Sequence, residues 1–209
     1  MEKELKDYYS NIAAWYDPLL GFLIDPVRQA LVDWIMDNQP RRVLDVGCGT
    51  GKQLAMLPDN IYAIGIDISA SMLEQAEKQT PGKCMWADAT RIPFRNGEFD
   101  LVISQFALHE KNAETIQAEL EEVRRVLNPG GVFSVTDFDI PEVQTIASRS
   151  MRWGIRQIEK LAGGKHYYNY LNWMQRGGLK KILSNSGWTL IEDKPFYKGN
   201  IRLTFWKIQ

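Results

Sequence analysis

The sequence predicts an α/β protein: a Rossmann-like, seven-stranded, mostly parallel sheet with helices on both faces and a C-terminal antiparallel hairpin. Three observations carry that expectation. Short, continuously apolar runs recur along the chain, as strands covered on both faces require. Segments with helical spacing separate them, and strand–helix alternation builds parallel sheets. A glycine-rich turn, VLDVGCGTG at residues 43–51, directly follows the first of these strands.

Each element has its own signal. Residues 26–37, PVRQALVDWIMD, place Val27, Ala30, Leu31, Trp34 and Ile35 at helical spacing. Asp25 is the expected cap and Pro26 the expected first helical residue. Strands are expected at 41–46, 61–67, 83–88, 99–105 and 131–138. Between them, 69–78 reads as a helix, with Ser71 three residues before Glu74 suggesting a capping box. Residues 112–127 place Ile116, Leu120, Val123 and Leu127 on one face and stop at NPGG. Residues 187–195 and 199–209 read as a hairpin on one edge of the sheet, with 199–209, carrying Phe205 and Trp206, as the edge strand. Residues 1–25 and 139–180 break the rhythm. They are expected above the sheet, as helical or irregular segments. The organisation is one domain: an N-terminal cap (1–38), a ligand-binding core (40–138), a lid (139–180), and a terminal helix with hairpin (181–209).

Composition narrows the class. The chain has 209 residues, 44% of them hydrophobic, enough for one sizeable core. Twenty-five basic and 26 acidic residues leave a net charge of −1, which offers no footprint for nucleic acid. Cys48 and Cys84 form no paired spacing, and the two histidines are scattered, so neither a disulfide framework nor a metal site is expected. The first residues, MEKELKDYYSN, lack the apolar core of a signal segment. No apolar run approaches the ~20 residues of a membrane span. A cytoplasmic protein is the expectation; its oligomeric state is not readable.

The glycine turn raises the question of its ligand. Glycine tolerates positive φ and admits a ligand close to the backbone. In open α/β sheets, ligands bind at the carboxyl ends of the strands. Three successive strands finish in acids, Asp45, Asp67 and Asp88. An acid about 20 residues past the first glycine suits ribose hydroxyls, and Asp88 would neighbour an adenine edge. A dinucleotide fits poorly. Its fingerprint needs a glycine where Lys52 stands, and three acids would repel a pyrophosphate. They suit a ligand with a cationic centre and an amino group.

VLDVGCGTG, GIDIS, WADA and FDLVISQFALHE together resemble the motifs of the class I S-adenosylmethionine-dependent methyltransferases, over residues 40–138. The resemblance implies that Gly47, Gly49 and Gly51 pass under the methionyl part of S-adenosyl-L-methionine, with S-adenosyl-L-homocysteine as product. It puts Asp45 near the cofactor amino group, Asp67 on the ribose diol, Met72 on the adenine face, and Asp88 with Ala89 beside the adenine. Cys48, Ile68 and Ser104 complete the expected cofactor set. The flank YYSNIAAWYD (8–17) resembles the opening of the ubiquinone/menaquinone-biosynthesis C-methyltransferase-like, type 11 group. Ala13, Tyr16 and Asp17 match that opening, while Tyr9 and Ser10 depart from it. The resemblance puts Tyr16 over the cofactor.

Methyl transfer is an in-line displacement, so alignment of the acceptor does much of the work. A base is needed only if the acceptor must lose a proton. His109 in SQFALHE is the candidate base or, equally, a packing residue. His166 is a second candidate, beside Tyr167, Tyr168 and Tyr170, which wall an acceptor pocket or form the core of a helical cap. Tyr9, Phe106 and Tyr168 are the expected acceptor contacts. Arg28, on the polar side of its helix, is expected to be solvated. The function expected is methylation of a small, aromatic or apolar acceptor. A protein or RNA methyltransferase and a non-catalytic cofactor-binding protein are the alternatives.

Overall fold

A computed structural model describes residues 13–161 and 163–208, with side chains from Gly21 onward. The opening helix α1 runs Ala13–Asn38. The core then alternates β1 (Arg42–Val46), α2 (Lys52–Ala55), β2 (Tyr62–Asp67), α3 (Ala70–Gln79), β3 (Cys84–Trp86), β4 (Phe99–Gln105), α4 (Ala113–Val126) and β5 (Leu127–Phe138). Helices α5 (Ile146–Leu161), α6 (Gly164–Gln175) and α7 (Gly178–Asn185) follow. Strands β6 (Trp188–Phe196) and β7 (Ile201–Ile208) close the chain. Among the described residues, no helix is long and apolar enough to cross a membrane.

The sheet order is β3-β2-β1-β4-β5-β7-β6. Strands β1 to β5 pair in parallel, while β7 pairs antiparallel with both β5 and β6. The chain moves outward from β1 to β3, then returns to β4 on the other side of β1. That reversal opens the crevice where α/β sheets bind ligands. The seven-stranded mixed sheet is the architecture expected from the sequence.

Three local expectations are corrected. Pro26 does not begin a helix and Asp25 does not cap one, because α1 continues through both. A proline inside a helix costs about 3 kcal/mol. The buried stripe of Ile24, Val27, Leu31, Trp34 and Ile35 offsets it, at roughly 1.5–3 kcal/mol for each large apolar side chain. The cap of α3 is Ser69 rather than Ser71: Ser69 Oγ accepts from the Met72 N–H at 3.2 Å. The last strand is not the edge. β7 lies between β5 and β6, with all of Ile201–Trp206 buried, whereas all but Trp188 of β6 is exposed or half-buried. Trp34 locks α1 onto β7, stacked on Phe205 at 4.3 Å, with its Nε1–H on Glu192 at 2.9 Å.

Candidate active site

β1 delivers Asp45 into the crevice, and the chain then turns through Gly47, Gly49 and Gly51, all at positive φ (76°, 54° and 75°). The turn folds back onto the end of β2. The N–H groups of Gly47 and Cys48 both donate to Ile66 O, at 2.8 and 3.1 Å. Room for this comes from Gly65 inside β2. A Cβ there would sit 2.7 Å from both Cβ and Sγ of Cys48. The helix behind the turn, α2, has only four residues. Pro58 shortly after it disfavours helical backbone at the preceding residue. With so short a helix behind the turn, the bare backbone of the glycines carries the site.

Two carboxylates face this turn. Asp67 accepts from the Gly49 N–H and the Ser69 N–H, each at 2.8 Å. Burial raises its pKa, against the lowering effect of those backbone donors. Asp45 is 2% exposed. Burial first, then the neighbouring charge of Asp67, pushes its pKa up to about 7, with Arg28 opposing. Arg28 is buried rather than solvated. It donates to Asp25 at 2.9 Å, and Asp25 also takes Lys52 at 2.7 Å. This ties α1 to the residue that follows the glycine turn. Two buried acids whose charged forms burial disfavours would gain from a cationic ligand. Gln105 Nε2 and the hydroxyls of Ser104 and Thr136 are also buried without a hydrogen-bond partner among the described residues. All three sit at or next to the carboxyl ends of β4 and β5. The site thus fits S-adenosyl-L-methionine, a sulfonium carrying an amino group and a nucleoside.

The other expected cofactor residues fall around the same end of the sheet. β3 stops at Trp86, so Asp88 lies two residues beyond the strand rather than ending it. Its carboxylate turns the chain by accepting from Thr90 N–H and Oγ1–H, both at 2.8 Å. Ala89 is half-buried, Ile68 is exposed and Met72 is buried. Cys48 is buried beside Cys84; contact with Cys84, then burial, raises the Cys48 thiol pKa. Tyr9 lies outside the described residues. Tyr16 lies in the backbone of α1, with its side chain outside the description.

On the acceptor side, Phe106 follows β4 at φ 52°, an uncommon conformation for a bulky residue. Its N–H donates to Thr136 O at 2.7 Å, and its ring meets Phe138 edge-on at 5.8 Å. Tyr168, expected as an acceptor contact, is 68% exposed. Helical spacing in α6 turns Tyr170 inward instead, edge-on to Phe138 at 5.4 Å and to His109 at 6.3 Å. α6 is fastened to this end of the sheet by Trp173 Nε1–H on Phe138 O (2.8 Å) and Asn169 on Glu110 O (2.5 Å).

His109 is 2% exposed. Its Nδ1 meets Asp137 Oδ1 at 2.7 Å and its Nε2 lies 3.5 Å from Glu159 Oε2. Burial alone would lower its pKa, but Asp137 and then Glu159 outweigh that and raise it well above the usual imidazole value. His109 therefore sits between two carboxylates, one facing each ring nitrogen. His166 Nε2 contacts the same Glu159 oxygen at 2.6 Å. Burial raises the Glu159 pKa, and the two histidines outweigh it, leaving the carboxyl at about 2. Asp137 and Glu159 were not singled out in the sequence. The signal for Asp137 was an acid inside the apolar strand GVFSVTDF, since a buried charge needs partners. Nothing in the linear spacing pointed to Glu159.

Comparison with known proteins agrees with this geometry. Residues 43–131 match the methyltransferase domain family. An uncharacterised protein of Methanocaldococcus jannaschii is 34% identical over 158 residues, which cover 74% of this chain and 60% of that protein. The chain therefore spans less than two thirds of that relative's length. The demethylmenaquinone methyltransferase of Beutenbergia cavernae is 30% identical over 195 residues, covering 86% of this chain and 80% of that enzyme. The chain belongs to the class I S-adenosylmethionine-dependent methyltransferases, in the type 11 group that includes such quinone enzymes. Solved structures share the fold. A Pyrococcus horikoshii protein aligns with TM-score 0.64 at 19% identity over 89% of each chain. The magnesium protoporphyrin IX methyltransferase of Synechocystis with bound SAH aligns with TM-score 0.61 at 16% identity, over 88% of this chain and 83% of that one.

Proposed function

We propose that this chain transfers the methyl group of S-adenosyl-L-methionine to a small, aromatic or apolar acceptor. The observation that carries the reading is the pairing of two features at one end of the sheet. One is the glycine turn with buried Asp45 and Asp67. The other is the aromatic wall of Phe106, Phe138 and Tyr170 beside it. The bound cofactor supplies an electrophilic methyl on a sulfonium. The chain's own residues bind and orient. Asp45 meets the cationic end, Asp67 the ribose, and the region of Asp88 and Ala89 the adenine. Helices α5 and α6 act as a lid, and a dry pocket protects the transfer geometry. Named relatives support the acceptor class: besides the Beutenbergia enzyme, a 2-phytyl-1,4-naphtoquinone methyltransferase of Nostoc punctiforme is 26% identical over 190 residues.

Calorimetric titration with S-adenosyl-L-methionine and with NADH tests the donor. The expected result is saturable binding of the former alone; the reverse sinks the reading. Turnover across a panel of quinols, phenols and apolar amines then tests the acceptor. Cofactor binding without transfer to any of them would favour a non-catalytic binding protein.

A further inference from the structure

The chain contains only two histidines, and the fold brings them together. Their rings lie 5.4 Å apart, centroid to centroid, at 84°. One ring nitrogen of each points to the same Glu159 oxygen, at 3.5 Å from His109 Nε2 and 2.6 Å from His166 Nε2. One donor atom from each of the three residues lies within 4.8 Å of the others. The opposite ring nitrogens are backed by further carboxylates. His109 Nδ1 meets Asp137 at 2.7 Å, and His166 Nδ1 lies 3.8 Å from Glu110. Asp137 is itself fixed by the backbone N–H groups of Leu108, His109 and Phe138.

We propose that His109, Glu159 and His166 bind one divalent cation of the zinc class. Two imidazoles and one carboxylate are a donor set suited to zinc and its transition-metal neighbours rather than to magnesium or calcium. Each histidine binds through an unprotonated ring nitrogen, so the ion displaces to solvent any proton held there against Glu159. Bonds of about 2.0–2.2 Å place tetrahedral neighbours roughly 3.3–3.5 Å apart. The His109–Glu159 separation already matches that, and the shorter His166–Glu159 contact opens by less than 1 Å, about the amplitude of ordinary side-chain adjustment. Metal-bound histidines typically rest their second nitrogen on a carboxylate, and Asp137 serves His109 in that way. Three protein donors leave a tetrahedral ion one further position, the pattern of catalytic rather than structural sites. The three ligands come from the β4–α4 connection, α5 and α6. A bound ion would therefore pin both helices to the sheet beside the aromatic wall. The site is independent of the donor reading, since it shares no residue with the glycine turn.

The test uses the full chain, without a histidine tag and stripped by a chelator. Zinc is titrated against a chromophoric competitor, and cobalt is followed by its visible absorption. The expected result is one ion per chain. His166→Gln and Glu159→Gln should each weaken binding at least tenfold, and Asp137→Asn about tenfold, the lower end of typical second-layer effects. A Cys48→Ser, Cys84→Ser double variant should bind unchanged. Ring-nitrogen NMR signals of both histidines should move on zinc saturation, a readout that needs no variant. Ring signals that stay put, affinity unchanged in His166→Gln, or binding lost only in the cysteine variant would each overturn the proposal.

Discussion

Asp45 is the residue whose ionisation decides most about the site. Its folded pKa of about 7 lies above the ordinary carboxylate value, so the folded state favours its proton. The stability it contributes is full below about pH 4, is lost as pH rises through about 7, and is flat above that. Asp45→Asn should therefore stabilise the cofactor-free protein at pH 8 by on the order of a few kcal/mol, with the difference vanishing near pH 4. Urea unfolding of both proteins across that range checks it; parallel pH slopes would contradict it. A cationic ligand favours the ionised form, so cofactor affinity should rise through the same window, and less so in the variant. Asp67→Ala should weaken cofactor binding by at least tenfold, since one hydrogen bond to a charged group is worth about 1.5–3 kcal/mol. Unchanged affinity by calorimetry would remove Asp67 from the ribose. These acids were legible in the sequence because aspartate at the end of an apolar strand, in register with a glycine turn, has few purely structural explanations. His109 was visible as well, but not its partners. A side chain's charge state depends on what the fold places against it, and neither Asp137 nor Glu159 is near His109 in sequence.

At the scale of elements, the glycine turn depends on a neighbouring strand. Gly65→Ala puts a methyl group into Cys48. The turn must lift from β2, and cofactor affinity should fall about tenfold, or 1.4 kcal/mol, while circular dichroism stays that of the parent. An unchanged affinity would show that the turn moves without consequence. Trp34→Ala removes the stacked contact between α1 and β7 and should cost about 3–5 kcal/mol in chemical denaturation. Strand and helix locations followed from periodicity almost throughout, because buried strands and amphipathic helices leave clear patterns. The errors fall where local signals compete with packing. Asp25-Pro26 reads as a helix start, yet the buried face on both sides of it carries α1 straight through. Ser71 and Glu74 fit a capping box, yet Ser69, one turn-forming residue past Asp67, takes the cap. The last strand looked like an edge, yet its apolar face on both sides draws it between β5 and β6.

For the whole molecule, binding at the crevice couples to global stability. At a cofactor concentration of 100 times Kd, folding should gain about 2.7 kcal/mol. A thermal shift assay should show that gain in the parent and lose about half of it or more in Asp67→Ala. An equal shift in both would place the ligand elsewhere. The layers themselves explain why one end of the sheet collects all the chemistry. The strand order reverses beside β1, and α5 and α6 close over the carboxyl ends of β4 and β5. The sequence by itself determined the sheet, the glycine turn and the acids around it, and with them the methyl donor. Those features are local: a strand period, a positive-φ turn and an acid at a strand end need only neighbours in the chain. Tertiary structure alone decided that Tyr170 rather than Tyr168 faces inward, that Arg28 is buried beside acids, and that His109 and His166 share one carboxylate. Each of these is a meeting of distant segments, set by how helices pack over the sheet and left unmarked by spacing along the chain.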